Sequence, residues 1–171
     1  DFTRLILENL AEGVIACDSS GELILFNKAA REWHGTDPRR IAPERWGDFY
    51  NLFEADGVTP LVTENIPLVR AFYGEKIRNC EMSIKRKGEI PRYVLASGEA
   101  LITEQGEKVG AVVVMHDITA RKDTQLKLEN SAQQLLSANE QIESERATLA
   151  ERVRQRTAQL TLINEQLQVA K

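Results

Sequence analysis

The chain has 171 residues, a formal net charge of −4 and 42% hydrophobic residues, which allows one globular core and some additional structure. Its acidic balance argues against a nucleic-acid-binding protein, because binding phosphates requires clustered lysine and arginine side chains. No signal peptide is recognisable, and no run approaches the ~18 apolar residues of a membrane-spanning helix, so we expect a soluble, cytoplasmic segment without membrane contact. A parent protein could still be attached to a membrane.

The first third of the sequence predicts a helix, a β-hairpin and a second, short helix. These elements are predicted over about 2–12 for the first helix, Val14–Asp18 and Glu22–Phe26 for the strands, and Lys28–His34 for the second helix. Gly21 suits the hairpin turn, where a positive φ is needed. Asn27 suits the N-cap of the second helix, and Gly35 suits its C-terminal end.

The middle of the chain is predicted to be irregular over 36–61, and a helix and three strands follow. The helix is predicted from around Thr63 to Tyr73, with Pro67 in or near its first turn. The strands are predicted over Arg78–Arg86, Arg92–Thr103 and Val109–Ile118. This order of elements predicts an α+β fold in which a five-stranded antiparallel sheet carries helices on one face.

The sequence changes character near residue 118. All ten glycines and all five prolines lie between Gly13 and Gly110, and no aromatic residue follows Thr119. The change predicts a globular domain over 1–118 and a long helix over 119–171. Because the chain starts at Asp1 and stops at Lys171 within a helical pattern, we expect a fragment of a larger protein.

The long helix carries apolar residues at heptad spacing, which predicts a coiled coil. The predicted core positions are Leu128, Leu135, Asn139, Ile142, Leu149, Val153, Leu160, Ile163 and Leu167. Asn139 at an a position favours a parallel homodimer, because its amide can pair with the same amide of the partner. Arg146 and Arg156 also fall on this seam. Their stems could lie along the seam with the charges in water, or they could keep the coil soft enough to switch register.

Three separate stretches of the chain resemble the PAS domain family. They are GVIACDSSGELILFNKAA from Gly13, EADGVTPLVTENIPLVRAFYGEKI from Glu54 and GAVVVMHDITARK from Gly110. The resemblance covers about Leu5 to Lys122, and it implies the PAS fold and a sensory role. Residues 151–168, ERVRQRTAQLTLINEQLQ, are similar to the connector that precedes the phosphoacceptor helix of bacterial sensor histidine kinases.

In the PAS family an Asp-Ile-Thr motif joins the domain to its output helix. The motif here is Asp117, Ile118 and Thr119, so the resemblance implies that these residues relay the signal. The positive N-terminal end of the helix dipole would stabilise the carboxylate of Asp117, and Thr119 could cap the helix. Alternatively, Asp117 only ends the strand with a solvated side chain.

The resemblance also argues against two cofactors of the family. Flavin-binding PAS domains carry a cysteine in a helical motif, whereas Cys17 and Cys80 lie on predicted strands. Haem-binding PAS domains commonly place a histidine on the helix that is predicted here over 63–73, and this stretch has none. The sequence therefore assigns no cofactor and no metal, and leaves open a small-molecule ligand.

Candidate ligand contacts come from residues expected between the helices and the sheet. They are Trp33, Phe72, Val113 and Met115, while the inward-facing side of strand 78–86 stays open. The two histidines, His34 and His116, are far apart in sequence and form no catalytic set. His34 could touch a ligand, but we expect a structural residue whose hydrogen bonds are satisfied. If Met115 faces the pocket, His116 faces the other side of the sheet.

We therefore expect the sensory part of a bacterial two-component phosphorelay protein, a histidine kinase, whose C-terminal output domain follows the coil. This segment itself carries no predicted catalytic residue. Three alternatives stay open: a ligand-free PAS dimerisation and spacer module, the regulatory part of a diguanylate cyclase, and an enzyme acting in the pocket. The absence of a nucleophile–base pair argues against the enzyme.

Overall fold

The computed structural model describes residues 2–169, except the side chains of Leu167 and Val169. The helices are α1 (Phe2–Asn9), α2 (Lys28–His34), α3 (Trp46–Phe49), α4 (Pro67–Phe72) and α5 (Thr119–Val169). The strands are β1 (Gly13–Asp18), β2 (Leu23–Phe26), β3 (Leu52–Phe53), β4 (Ile77–Ile84), β5 (Arg92–Ile102) and β6 (Lys108–Asp117). The chain forms two compact units that divide after Lys122.

Within residues 2–169, six strands form one antiparallel sheet in the order β2-β1-β6-β5-β4-β3. The five predicted strands are all present. β3 is an addition at the edge of the sheet, and its two residues are too few for an alternating pattern to reveal it. β6 lies near the centre and pairs with β1 on one side and with β5 on the other, so it joins the two halves of the sheet.

The hydrophobic core lies on the inner face of the sheet. Strands β5 and β6 contribute side chains that are at most 1% exposed, namely Val94, Ala96, Ala111, Val113 and Met115. Helix α4 packs against β1, β4, β5 and β6, and α2 packs against β1 and β2. The α+β class predicted from the order of elements is confirmed.

Strand β4 contains a bulge that decides which of its side chains face the core. Between Ile77 and Cys80 this strand uses one residue more than β5, and Asn79 has a φ of 48°. The extra residue shifts the alternation, so that Ile77 before the bulge and Met82 and Ile84 after it are all buried. The sequence left this direction open, and the apolar residues face inward.

Asn27 holds α1, β1 and α2 together at one buried point. Its Oδ1 accepts hydrogen bonds from the backbone N–H groups of Val14, at 2.9 Å, and Ala30, at 3.0 Å. Its Nδ2 donates to the carbonyl oxygens of Leu7, at 3.0 Å, and Glu12, at 2.8 Å. The predicted N-cap is thus confirmed, and the same amide also fixes the two segments that precede the helix.

Two predicted helices differ from those observed. Helix α1 ends at Asn9 rather than near residue 12, because the chain turns there to bring Glu12 to Asn27 and to begin β1 at Gly13. The helix predicted over 63–73 is divided into a 3₁₀ turn, Thr63–Asn65, and α4. Pro67 divides it, since the residue before a proline avoids the helical region, and Ile66 has an extended ψ of 120°.

The second unit is the remainder of α5. With 51 residues at 1.5 Å per residue, α5 is about 75–80 Å long. The described apolar side chains of the predicted seam are exposed, from 48% at Ile142 to 71% at Leu135. The side chain of Leu167 lies outside the described residues, and Arg146 contacts Glu143 of its own chain at 3.4 Å. Between residues 2 and 169, no helix has both the length and the apolar character that crossing a membrane would take.

Replacing Asn27 with alanine should destabilise the fold by about 3 kcal/mol, because four backbone groups, two in buried and two in partly buried hydrogen bonds, lose their partner at once. The measurement is urea unfolding followed by circular dichroism of residues 1–122 and of the full chain. Asn65→Ala is the matched control, because its exposed amide donates to Glu54 and to no other side chain among the described residues, and it should change stability by less than about 0.5 kcal/mol. Equal effects of the two substitutions would contradict the role assigned to Asn27.

Candidate functional site

The core encloses a small cavity between the sheet and the helices. Its volume is about 30 Å³, counted as the space that the centre of a water-sized sphere can occupy. None of its walls carries a charged side chain. The residues that line it are Ile15, Leu23, Phe26, His34, Trp46, Tyr50, Leu52, Ile66, Pro67, Leu68, Met82, Val113 and Met115.

Two of the four predicted ligand contacts line this cavity, Val113 and Met115, and both come from the central strand β6. His116 follows Met115 and therefore points to the opposite face of the sheet, as the alternation of a strand requires. There its Nδ1 lies 3.7 Å from a carboxylate oxygen of Glu12. A ligand role for Val113 and Met115 stays a prediction.

The other two predicted contacts lie away from the cavity. The guanidinium group of Arg92 lies over the ring of Trp33, and its Cζ is 5.2 Å from the ring centroid. The ring of Phe72 lies under Lys108, whose Nζ is 3.6 Å from the ring centroid. The structure thus places Trp33 and Phe72 beside two cations, at separate points around the sheet.

His34 is one of three cavity-lining residues with polar side-chain atoms, beside Trp46 and Tyr50. It is 5% exposed, and its Nδ1 lies 3.2 Å from the carbonyl oxygen of Tyr50. Because a carbonyl only accepts hydrogen bonds, Nδ1 carries the proton and Nε2 is left with a lone pair. Among the described residues, Nε2 has no hydrogen-bond partner. Burial lowers the pKa of His34 to about 4, against the opposing effect of the Tyr50 carbonyl, so the imidazole is neutral at pH 7.

The joint between β6 and α5 is fixed by hydrogen bonds to β5. Asp117 Oδ1 accepts a hydrogen bond from the Thr119 N–H at 2.9 Å, and Oδ2 pairs with Arg92 at the start of β5. The Thr119 hydroxyl accepts from the Tyr93 N–H at 3.0 Å, and the N–H of the buried Ile118 donates to the Tyr93 carbonyl at 2.9 Å. Asp117 therefore satisfies the first turn of α5, whereas Thr119, predicted as a possible cap, binds the sheet instead.

The charge of Asp117 is stabilised at this joint. Partial burial on its own would raise the pKa of its carboxyl group, but hydrogen bonds from Thr119 and the positive charge of Arg92 outweigh that effect. The pKa of Asp117 is therefore lower than its ordinary value, and the side chain is an anion at neutral pH. An anion suits the N-terminal end of a helix.

A short series of contacts connects α2 with the beginning of α5. His34 and Trp33 are consecutive on α2, His34 at the cavity and Trp33 against Arg92. Arg92 in turn pairs with Asp117. A displacement of α2 caused at the cavity would therefore act on the group that holds the Asp117 carboxylate.

The sequence did not single out Arg92, and it did not predict that the Tyr50 carbonyl contacts His34. The pairing of the predicted hairpin could have indicated Arg92, because antiparallel strands over 92–103 and 109–118 place the start of one beside the end of the other. For Tyr50 no local signal exists, since its carbonyl reaches His34 from a stretch of irregular structure.

Neither metal ligands nor a disulfide are found in the described part of the chain. No group of three or more His, Cys, Asp or Glu side chains within 2–169 is placed to hold a metal ion. Cys17 and Cys80 are free thiols on β1 and β4, the strands that the sequence predicted for them. Burial raises the pKa of the Cys17 thiol, which keeps it protonated and unreactive.

Residues 11–120 match a family model described as PAS domain. The chain is also 28% identical over 130 residues to the signal transduction histidine-protein kinase AtoS of Escherichia coli (strain K12). That match covers 72% of this chain and 19% of AtoS, so the chain spans about a fifth of the length of this relative.

The chain is also similar to solved structures. An RNA-binding light-oxygen-voltage receptor aligns with a TM-score of 0.51 and 13% identity, over 77% of this chain and 36% of that one. The PAS domain of BvgS from Bordetella pertussis aligns with a TM-score of 0.42 and 19% identity, over 77% of this chain and 96% of that one. At these identities the likeness concerns the fold alone.

The buried His34 should make the protein less stable in mild acid. Its folded pKa of about 4 lies below the ordinary 6.5, so the unfolded chain binds a proton that the folded chain excludes. Stability should fall as the pH drops from 6.5 to about 4, by up to about 1.4 kcal/mol per pH unit from this residue. Urea unfolding at pH 6.5, 5.5 and 4.5 measures this slope.

The substitution His34→Gln should remove the histidine contribution to that slope. His116→Gln is the matched control, because it removes a histidine whose side chain is 67% exposed rather than buried. Parallel pH profiles for the wild type and His34→Gln would show that His34 is not held neutral by burial.

Proposed function

The chain belongs to the PAS domain family, and from this we propose that it is the sensory module of a bacterial sensor histidine kinase. The similarity to AtoS, over 72% of the chain, is the observation that carries the proposal. In this proposal the chain itself carries no catalytic step and acts in the cytoplasm, ahead of a C-terminal kinase domain. Its task is to convert an event in the PAS core into a change at the start of α5.

Dimerisation through α5 is the first part of this proposal. A helix of 51 residues with exposed leucine, isoleucine and valine side chains along one seam is not stabilised by its own backbone hydrogen bonds alone. A second copy of the same helix in parallel orientation would cover the seam, because the heptad positions then face their own equivalents. Asn139 would meet its twin and fix this register.

Signal relay through the joint is the second part. Asp117 and Thr119 bind β5 with Arg92 and Tyr93 as their partners, so the first turn of α5 is tied to the sheet. In a parallel dimer both helices would start at such a joint, and a shift of either sheet would change their relative phase. A coupling free energy of about 1–3 kcal/mol is typical of such regulation.

One observation favours a second candidate, a ligand-free dimerisation and spacer module. The cavity of about 30 Å³ is far below the roughly 300–1,000 Å³ of pockets that hold drug-sized ligands. In this case the PAS unit would respond to a neighbouring domain rather than to a small molecule, and the coil would serve the same purpose.

We expect the purified chain to be a dimer at micromolar concentration, because only a partner covers the seam of α5. Multi-angle light scattering measures the mass directly, and truncation after Lys122 is the control that should lower the association. Leu149→Lys, which places a charge on the seam at a side chain that is 62% exposed, should weaken the dimer as well. A monomeric full-length chain, or helices that pair in antiparallel orientation, would overturn the proposal.

Shifting the heptad phase should change the output. In a chimera that joins this chain to the kinase part of AtoS, an insertion of four residues after Ala147 rotates everything that follows relative to the PAS unit. We expect altered or inverted autophosphorylation, whereas an insertion of seven residues keeps the phase and should preserve the original activity. If the four-residue insertion leaves regulated activity unchanged, relay by helix phase is wrong.

A further inference from the structure

The lone pair of His34 Nε2 is an unmatched hydrogen-bond acceptor in the core. The side chain is 5% exposed and is held in one orientation by the 3.2 Å contact between Nδ1 and the Tyr50 carbonyl. Around it stand the rings of Phe26 and Tyr50, with centroids 5.4 Å and 5.7 Å from that of the imidazole. Buried polar atoms are nearly always paired, so this acceptor without a protein donor, on a residue that lines the cavity, is a candidate partner for a molecule bound there.

We infer that this cavity binds a small neutral molecule that donates one hydrogen bond to His34 Nε2 and is otherwise apolar. The inference rests on the proposed sensory function and names the class of ligand that such a sensor would detect. Hydroxyl compounds and compounds with a single N–H group belong to this class.

The charge of the site selects a neutral ligand. No Asp, Glu, Lys or Arg side chain lines the cavity, so an ionised ligand would have no counter-charge there. A carboxylate would meet a second acceptor at Nε2, since the low pKa of His34 keeps the ring unprotonated at pH 7. An ammonium group would lose its hydration in exchange for one hydrogen bond, which is unfavourable in an apolar site.

The size of the site is set by side chains that can move. A volume of about 30 Å³ is close to that of two water molecules on this measure. The chain contains two methionines, and both of them, Met82 and Met115, line the cavity. Methionine side chains are unbranched and adapt readily to a new neighbour. In this proposal the two methionine walls withdraw to admit a ligand as large as one aromatic ring.

Phenol and toluene are a matched pair of probes, because they share a ring and differ in the hydrogen-bond donor. In a purely apolar cavity toluene binds better, since phenol must give up its hydrogen bond with water. If Nε2 accepts the phenol hydroxyl, the order is reversed, and we expect phenol to bind about tenfold more tightly than toluene.

The measurement is a titration of the full chain, labelled with ¹⁵N-histidine, by nuclear magnetic resonance at pH 7. Phenol should shift the His34 Nε2 resonance in a saturable way, and the exposed His116 serves as the internal control whose resonances should not follow. Toluene, if it binds, should leave Nε2 nearly unchanged. A toluene affinity equal to or greater than that of phenol, or no saturable shift at Nε2, would overturn the inference.

Two variants separate the hydrogen bond from the shape of the cavity. His34→Phe keeps a ring but removes the acceptor, and it should abolish the preference for phenol. Met82→Leu changes the wall and leaves the acceptor in place, so the preference should persist. If His34→Phe does not fold, the order of the two probes in the wild type still decides the question.

The outcomes distinguish this inference from the proposed function. Loss of the phenol preference, together with a phase-dependent kinase chimera, would overturn the ligand class and leave the relay standing. A phenol-specific shift at His34 in a chain whose coil does not dimerise would support the binding site and overturn the proposed relay to an output domain.

Discussion

The structure depends on strand β6 being held from both sides. β6 pairs with β1 along six residues and with β5 along almost its whole length, so its backbone donors and acceptors are satisfied within the sheet. Val113 and Met115 face the cavity from this strand, and two residues later the chain reaches Asp117 and turns into α5. Strand β6 therefore supplies both a wall of the cavity and the residue that leads into α5.

Helix α2 is the second element that contacts both places. Asn27 fixes its N-terminal end through hydrogen bonds to β1 and to the segments before it, so the helix has little freedom to slide there. Its last turn carries Trp33 and His34, of which one contacts Arg92 and the other the cavity. Movement at this end is opposed by the cation–π contact and by the Tyr50 carbonyl, both of which are weak compared with a strand pairing. The C-terminal end of α2 is thus the part of the site that is held less firmly than the strands.

The sequence predicted what local patterns determine. The alternation of β5 and β6, the N-cap at Asn27 and the positive φ of 84° at Gly21 and 70° at Gly35 follow from a few neighbouring residues each. The bulge at Asn79 and the contacts of His34 with Tyr50 did not follow, because they depend on pairing and packing between distant segments. Of the four predicted ligand contacts, Val113 and Met115 line the cavity, whereas Trp33 and Phe72 lie beside Arg92 and Lys108. A ligand role for any of the four stays a prediction.

The pairing of β1 with β6 also has a consequence for folding during synthesis on the ribosome. Gly13 lies opposite Met115, about 100 residues later in the chain, and the hairpin of β1 and β2 therefore leaves one edge open until β6 has been synthesised. At ribosomal rates of about 5–20 residues per second, that edge of β1 remains unpaired for several seconds before β6 is synthesised. During this interval the exposed strand edge can pair with another nascent chain.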